Sequence, residues 1–193
     1  MFKGMSSYWF GAGIVLFFTI LLCISFFTWW QQASVWQEQV IDEHITTLLG
    51  IFKRIDAECH ITGFEHQKNY IDFLNVATFA GSEVGSMNLA QPHKWKGPYI
   101  KDNPTIQEKQ YQIVRTHKGY FIVPGEGVEL GNGKVIGKDI VFDEDADIEA
   151  MMQDEHALKF KEYKLAAPLI LKSEAQVELT PKEALVVLED PGV

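Results

Sequence analysis

Carboxylates crowd one stretch near the end of the chain, where residues 139–155 read DIVFDEDADIEAMMQDE. Asp143, Asp145 and Asp147 stand at alternate positions, so a curled loop would turn all three toward one hard cation. Calcium suits such a loop because it accepts many oxygen ligands and tolerates irregular geometry, although the glycine and distal glutamate of an EF-hand are misplaced here. The same carboxylates suit the positive N-terminal end of a following helix. Composition alone favours that solvated, helix-capping interpretation.

Other residue types that carry chemistry are scattered along the chain. His60 and His66 lie near Cys59, but their spacing matches no zinc pattern. The glycines between 125 and 137 form no phosphate-binding fingerprint, and no hydrolase nucleophile motif stands out. We therefore expect a noncatalytic protein. The alternative is a membrane-tethered enzyme or ligand-binding domain with its site among the acidic stretch and the histidines.

The charge balance bears on the kind of partner. The chain has 26 Asp and Glu against 17 Lys and Arg, a formal net charge of −9. Such an acidic surface repels phosphates, so we expect no nucleic acid partner. Two cysteines, Cys23 and Cys59, do not make a disulfide framework. If one helix joins them, they lie far beyond bonding reach.

An uncharged segment precedes the rest of the chain. Residues 8–30 read YWFGAGIVLFFTILLCISFFTWW, long enough as a helix to cross a hydrocarbon core of roughly 30 Å. Aromatic residues at both ends suit the two membrane interfaces. A cleaved secretory signal is the alternative, but it would have a shorter apolar core and small residues at its exit. We expect a retained single-pass anchor in contact with membrane lipid.

The orientation of this anchor depends on few charges. Lys3 precedes the segment, and the next basic residue is Lys53. Because Lys and Arg stay on the cytoplasmic side, the N-terminus is expected in the cytoplasm of an inner (cell) membrane. The domain that follows would then be periplasmic or otherwise extracytoplasmic.

An amphipathic helix is predicted to continue from the membrane through 31–63. Its apolar residues recur at spacings of one, three and four, as a helix face requires: Val35, Trp36, Val40, Ile41, Ile45, Leu48, Leu49, Phe52 and Ile55. Gly63 is the expected stop. The alternative is a short juxtamembrane helix with a break near Gln31-Gln32.

Beyond this helix the patterns change to short elements. A second helix is predicted near 68–79, and the texture after Pro104 indicates strands near 111–115, 120–123 and 139–142. Asn132-Gly133 predicts a hairpin turn because both residues tolerate positive φ angles. Near the end, Thr180, Pro181 and Glu183 form a helix-start signature.

These patterns divide the chain into five parts. The fold class is α+β, a long N-terminal helix packed on a small antiparallel sheet. The parts are a cytoplasmic N-terminus at 1–7, a transmembrane helix at 8–30, its amphipathic continuation at 31–63, a soluble α+β domain at 64–160, and a C-terminal extension with a short helix at 161–193.

The stretch HKWKGPYIKD places a Trp, a Gly-Pro pair and a Tyr within five positions, at Trp95, Gly97, Pro98 and Tyr99. The local interpretation is that the two aromatic rings pack on a turn made by the Gly-Pro pair. With Ile100, these residues match a W-x-G-P-Y-[LI] turn, and residues 145–148 read DADI. In a chain with a half-transmembrane N-terminal helix, these motifs resemble the major pseudopilin, a type IV pilin-like subunit of type II secretion systems.

The resemblance implies a pilin-like fold and a calcium loop at Asp143, Asp145 and Asp147. It also implies a structural subunit of a secretion or pilus-like assembly, whose partners are other subunits met through the N-terminal helix, including copies of itself. The family is cut after a glycine that precedes Phe-Thr-Leu-x-Glu, and FFTILL at 17–22 lacks both the glycine and the glutamate. We therefore expect residues 1–30 to be retained. An accessory single-pass subunit of another membrane complex is the alternative within the same class.

Overall fold

The structure is a computed structural model that describes residues 5–172, with the side chains of 5–10 and 30–34 left aside. It divides into two compact units, Met1–Gln37 and Glu38–Val193. One helix, α1, runs over Met5–Cys59 and contributes to both units. The predicted short helix that starts at Thr180 lies outside the described residues.

Helix α1 is continuous through Gln31 and Gln32, so the alternative of a break there is wrong. The helix ends at Cys59 rather than at the predicted Gly63. His60 adopts a left-handed φ of 54°, and its N–H donates to the carbonyl of Asp56 at 3.1 Å. The Asp56 side chain accepts the next N–H, that of Ile61, at 3.0 Å. The first bond satisfies one of the carbonyls near the C-terminal end of the helix, and the second satisfies an N–H just beyond it.

The first unit contains the apolar part of α1. Gly11–Trp29 has a mean hydropathy of 2.3, and none of its side chains is buried. By length and composition it can span a membrane, and the same features fit a membrane anchor or a signal sequence. Trp36, which the sequence pattern placed on the apolar face, is 66% exposed in the same unit.

The second unit has an apolar core to which α1 contributes one face. The buried residues on that face recur at intervals of three and four: Ile41, Ile45, Leu48, Phe52, Ile55 and Cys59. The predicted amphipathic pattern is confirmed there. Each fully buried Ile, Leu or Phe of this face contributes about 1.5–3 kcal/mol of transfer free energy.

Short antiparallel strands and a second helix complete this unit. They are β1 Ile61–Phe64, β2 Lys68–Tyr70, β3 Glu83–Val84, β4 Met87–Leu89, β5 Thr105–Ile106, β6 Lys109–Gln110, β7 Gln112–Thr116, β8 Gly119–Val123, α2 Ile148–Met151, β9 Lys159–Phe160, β10 Tyr163–Lys164 and β11 Ala167–Leu169. The larger sheets have the orders β1-β4-β3 and β11-β8-β7-β2. Helices and small antiparallel sheets confirm the α+β class.

Two predicted elements are wrong. In place of a helix at 68–79, β2 pairs with β7, and the N–H of Ile71 extends the pairing by donating to Tyr111 O at 2.9 Å. The apolar residues there fit a helical period, but pairing with a distant strand overrides it. In place of a strand at 139–142, an isolated bridge joins Ile136 and Ile140.

The hairpin signals are confirmed. β7 and β8 pair in register from Gln112↔Val123 to Thr116↔Gly119. At the Asn132-Gly133 turn, Gly133 takes a φ of 77°, which favours glycine. The segment after 160 was expected to be an extension. It contributes β11 to the edge of the four-stranded sheet, next to β8.

Candidate functional sites

The W-K-G-P-Y turn is a packing element attached to the second unit. The indole Nε1 of Trp95 donates to the Val76 carbonyl at 3.0 Å. The Trp95 ring packs edge-on against Phe79 and Tyr99, with centroids 5.4 and 4.8 Å away. A Cβ at Gly97 would overlap both Val76 O and the Trp95 ring. The aromatic part of the local interpretation is confirmed, since the Trp95 and Tyr99 rings pack on each other beside the Gly-Pro pair.

Ionic contacts tie this turn to the end of α1. Glu58 Oε1 lies 3.2 Å from Lys96 Nζ and 3.5 Å from Arg54 Nε. The Arg54 guanidinium also lies over the Tyr99 ring, 5.5 Å from its centroid. The turn and the helix end therefore share one mixed aromatic and charged contact.

Asp147, the last of the three predicted ligands, already has two partners. Its Oδ1 accepts the N–H of Ala150 at 3.1 Å and caps α2, and its Oδ2 lies 2.5 Å from Lys118 Nζ. The hydrogen bond from Lys118 and the one from Ala150 lower the pKa of Asp147, while the pKa of Lys118 is raised by the same contact. The helix-capping interpretation of the acidic stretch is thus confirmed at Asp147.

The neighbouring carboxylates also face basic side chains. Asp145 is 91% exposed and lies 3.2 Å from His117 Nε2, while Glu144 lies 3.5 Å from Arg115. Asp143 is exposed, and its carbonyl accepts the N–H of Ala146 at 3.3 Å. The β7–β8 hairpin therefore supplies a basic partner to Glu144, to Asp145 and to Asp147.

This arrangement does not gather Asp143, Asp145 and Asp147 around one point. Within residues 5–172, no three His, Cys, Asp or Glu side chains form a group that could hold a metal ion. The Lys118–Asp147 pair borders an open groove of about 430 Å³, so Lys118 can leave Asp147 without disturbing the core. Calcium binding by the three aspartates stays a prediction, and it requires that departure.

Glu38 is a second carboxylate of interest, on the first turn of α1 in the second unit. Its side chain is fully buried. One oxygen, Oε1, accepts a hydrogen bond from the backbone N–H of Gly131. The other, Oε2, is buried and accepts no hydrogen bond from any residue that the structure describes. Burial raises the pKa of Glu38 from 4.5 to about 7, and the bond from Gly131 opposes that shift only in part.

Tyr111 lies near Glu38, and His44 contacts Tyr111. Tyr111 is fully buried, and its hydroxyl lies 3.0 Å from His44 Nδ1, with the two rings packed edge-on. Burial raises the pKa of Tyr111, and a charge on Glu38 raises it further. Burial also lowers the pKa of His44, against the opposing charge of Glu43. Burial therefore favours the neutral form of all three groups.

Glycine at 131 permits this close contact. A Cβ there would lie 3.1 Å from Glu38 Oε1 and 3.1 Å from the Phe160 ring, closer than ordinary side-chain packing allows. A side chain at this position would require Glu38 or Phe160 to move by a few tenths of an ångström. Glycine avoids that movement.

Sequence reasoning missed the Glu38 site, although one signal for it is present. The buried face of α1 contains Ile41, Ile45 and Leu48, and position 38 precedes them with the same period. A glutamate therefore occupies a position where that period predicts an apolar residue. Gly131 carries no such signal, since it lies 93 positions from Glu38.

The histidine and cysteine positions considered for a metal do not meet in one group within the described residues. Cys59 is buried and His66 is paired with Glu65 at 3.6 Å. Cys23 is exposed on the apolar segment.

Comparison of the chain with protein-family models, with curated proteins and with solved structures finds no match.

Proposed function

We propose that this protein is a noncatalytic, membrane-anchored, pilin-like structural subunit of a secretion or pilus-like assembly. The N-terminus lies in the cytoplasm, and the second unit lies on the periplasmic or extracytoplasmic side of the inner membrane. Its neighbours in the assembly are other subunits, met through the N-terminal helix.

The observation that carries this proposal is the difference in burial between two parts of α1. Gly11–Trp29 is apolar and wholly exposed, whereas the later part of the helix, from Ile41 to Cys59, supplies one face of a buried core. A helix of 55 residues is far longer than the roughly 20 needed to span a bilayer. The apolar part is therefore free to contact lipid and neighbouring helices while the other part holds the domain.

The W-K-G-P-Y turn supports the same proposal. Its aromatic residues and Gly97 are needed for packing, and Lys96 binds the end of α1 through Glu58. A small domain whose core includes one face of a long helix suits a building block.

Calcium belongs to the same proposal. The resemblance to pseudopilins implies Asp143, Asp145 and Asp147 as ligands, with backbone carbonyls completing the shell. Lys118 would compete with the ion, because its Nζ lies 2.5 Å from Oδ2 of Asp147.

A photo-crosslinking amino acid in place of Leu22 tests the proposal in intact membranes. Leu22 is 70% exposed on the apolar segment. We expect a ladder of products at multiples of the 21.9 kDa chain, since each subunit would meet a copy of itself. The same amino acid in place of Tyr70, 55% exposed in the second unit, is the control and should give a much weaker ladder.

Two outcomes would contradict the proposal. One product of constant mass that is no multiple of the chain would favour an accessory subunit of a different membrane complex. A complete lack of protein products at Leu22 would leave lipid as the helix's neighbour and remove the assembly role.

A further inference from the structure

The two oxygens of Glu38 have different surroundings. Oε1 accepts the N–H of Gly131, while Oε2 is buried and accepts nothing from the described residues. Burying an oxygen of an ionised carboxylate without a hydrogen-bond donor has a large desolvation cost, whereas the cost for a protonated carboxyl is far smaller. The closed geometry around Glu38 therefore suits the protonated form.

The groups around Glu38 supply no balancing charge. Tyr111 is an acid, and His44 contacts its hydroxyl. On α1 itself the next carboxylate along the same face is Asp42, which accepts the N–H of Lys164 at 3.3 Å. From the other side, Gly131 and Phe160 are uncharged. Across the described residues, no Lys or Arg forms an ion pair with Glu38.

The partner of Glu38 is a short loop at 130–134 with two attachments. Its own turn is closed by Leu130 N–H to Lys134 O, at 2.8 Å. Gly131 attaches one side to Glu38, and Asn132 Nδ2 attaches the other by donating to the carbonyls of Glu155 and Ala157, both at 3.1 Å. The loop can therefore lose the first attachment and keep the second.

We propose that Glu38 is a proton-binding site that controls this loop. Protonated, Glu38 holds the Gly131 side of the loop against α1 in a dry contact. Ionised, it requires water at Oε2, and the Gly131 side opens to admit it while Asn132 stays bound.

Hydrogen–deuterium exchange of the full chain in detergent tests the proposal. Rates for the amides of 130–134 are measured at pH 6 and pH 8 and corrected for intrinsic exchange. Burial raises the pKa of Glu38 from its ordinary 4.5 to about 7 in the closed state. With the ordinary value for a solvated open state, linkage predicts an opening constant about tenfold larger at pH 8 than at pH 6. Protection at pH 8 should also be lower at 130–134 than in β1 and β4.

Three variants sharpen the experiment. Glu38→Gln keeps an acceptor for Gly131 but cannot ionise, so the tenfold change should disappear. Gly131→Ala places a Cβ against Glu38 and should expose the loop at both pH values. Glu162→Gln, the same change at an exposed position, should retain the tenfold change.

Three results would overturn the proposal. The first is a corrected exchange rate in the unaltered protein that stays constant within about twofold between pH 6 and pH 8, which needs no variant to fold. The second is equal protection of 130–134 and of β1 and β4 at pH 8, because the loop would then open only with the whole domain. The third is a tenfold change that persists in Glu38→Gln, which would assign the effect to another group.

Discussion

Glu38 and Asp147 are both carboxylates that accept a backbone N–H, yet their pKa values move in opposite directions. Glu38 accepts from Gly131 and is fully buried, and burial raises its pKa to about 7. Asp147 accepts from Ala150 on an exposed loop, and the hydrogen bond from Lys118 is the largest cause of its lowered pKa. A single backbone donor therefore does not offset burial, whereas a donor plus a cation in solvent stabilises the charge.

The two regions also differ in what a change of conditions can do to them. We expect the Glu38 region to respond to protons, because no Lys or Arg among the described residues forms an ion pair with it. We expect the acidic loop around Asp147 to respond to competing cations, because Lys118 and Arg115 lie within ion-pair distance of its carboxylates.

The largest expected effect is at Glu38. Its folded-state pKa lies above the unfolded value of 4.5, so the folded state holds a proton that the unfolded state loses as pH rises. The contribution of Glu38 to the free energy of unfolding should be largest below pH 4.5 and fall as pH rises through 7. The total loss is about 3 kcal/mol at 1.36 kcal/mol per pKa unit. Urea unfolding at several pH values measures it.

Glu38→Gln should remove most of this pH dependence of the free energy of unfolding. The variant should then be more stable than the wild type at pH 8. Glu162→Gln, an exposed match, should keep the slope. A wild-type stability that rises between pH 5 and pH 7 would show that the Glu38 charge is favourable in the folded protein, and the contrast with Asp147 would be lost.

The second effect concerns calcium at the acidic loop. Full occupancy by an ion at about a hundredfold above its dissociation constant stabilises a fold by about 2.7 kcal/mol. We expect calcium to raise the melting temperature more than magnesium, since magnesium demands regular octahedral geometry. Lys118→Ala should enlarge the calcium response because it removes the ammonium that competes for Asp147.

Asp145→Asn should abolish the calcium response in both backgrounds. Identical melting curves in calcium and in chelator, for the wild type and for Lys118→Ala alike, would contradict the ligand assignment. The acidic loop would then be a capped helix start neutralised by basic side chains alone.

The contrast between the two regions was only partly predictable from the sequence. The acidic stretch can be recognised in the sequence because its carboxylates are close together. The apolar period of α1 can be recognised there as well. Lys118 is visible only as part of a turn, and its contact with Asp147 requires the β7–β8 hairpin to be placed beside α2. Such long-range pairings carry no local signal, and the same limitation explains the wrong helix at 68–79, where β2 pairs with β7.

Local sequence patterns did predict the main elements that position the two carboxylate sites. The buried face of α1 follows from apolar residues at intervals of three and four, and the β7–β8 hairpin follows from the strands predicted near 111–115 and 120–123. Glu38 departs from the first of these patterns, and a polar residue at a core position commonly marks a functional or strained site. The departure was therefore informative, although its partner Gly131 was not identifiable.

A smaller effect is expected at Tyr111. Tyr111→Phe removes the hydroxyl that contacts His44 at 3.0 Å, and losing a buried hydrogen bond costs about 1 kcal/mol. The loss should be the same from pH 5 to pH 8, because burial keeps the Glu38 pKa raised without the tyrosine. Tyr70→Phe at an exposed edge position is the control and should change little. A loss confined to pH values above 7 would instead place Tyr111 in direct partnership with ionised Glu38.

The smallest effect is expected at Asp147, on the acid side. Its pKa lies below the ordinary value of 3.8, because of Lys118 first and Ala150 next. The stability it contributes is therefore present above pH 3.8 and is lost as pH falls through the lowered pKa. Asp147→Asn keeps an acceptor for the Ala150 N–H but loses the charge, so its acid unfolding curve between pH 5 and pH 2 should be slightly flatter than that of the wild type. Circular dichroism of the two proteins over this range measures the difference. Superimposable curves would mean that the Lys118 contact adds nothing in solvent, and that the cap alone distinguishes Asp147 from Glu38.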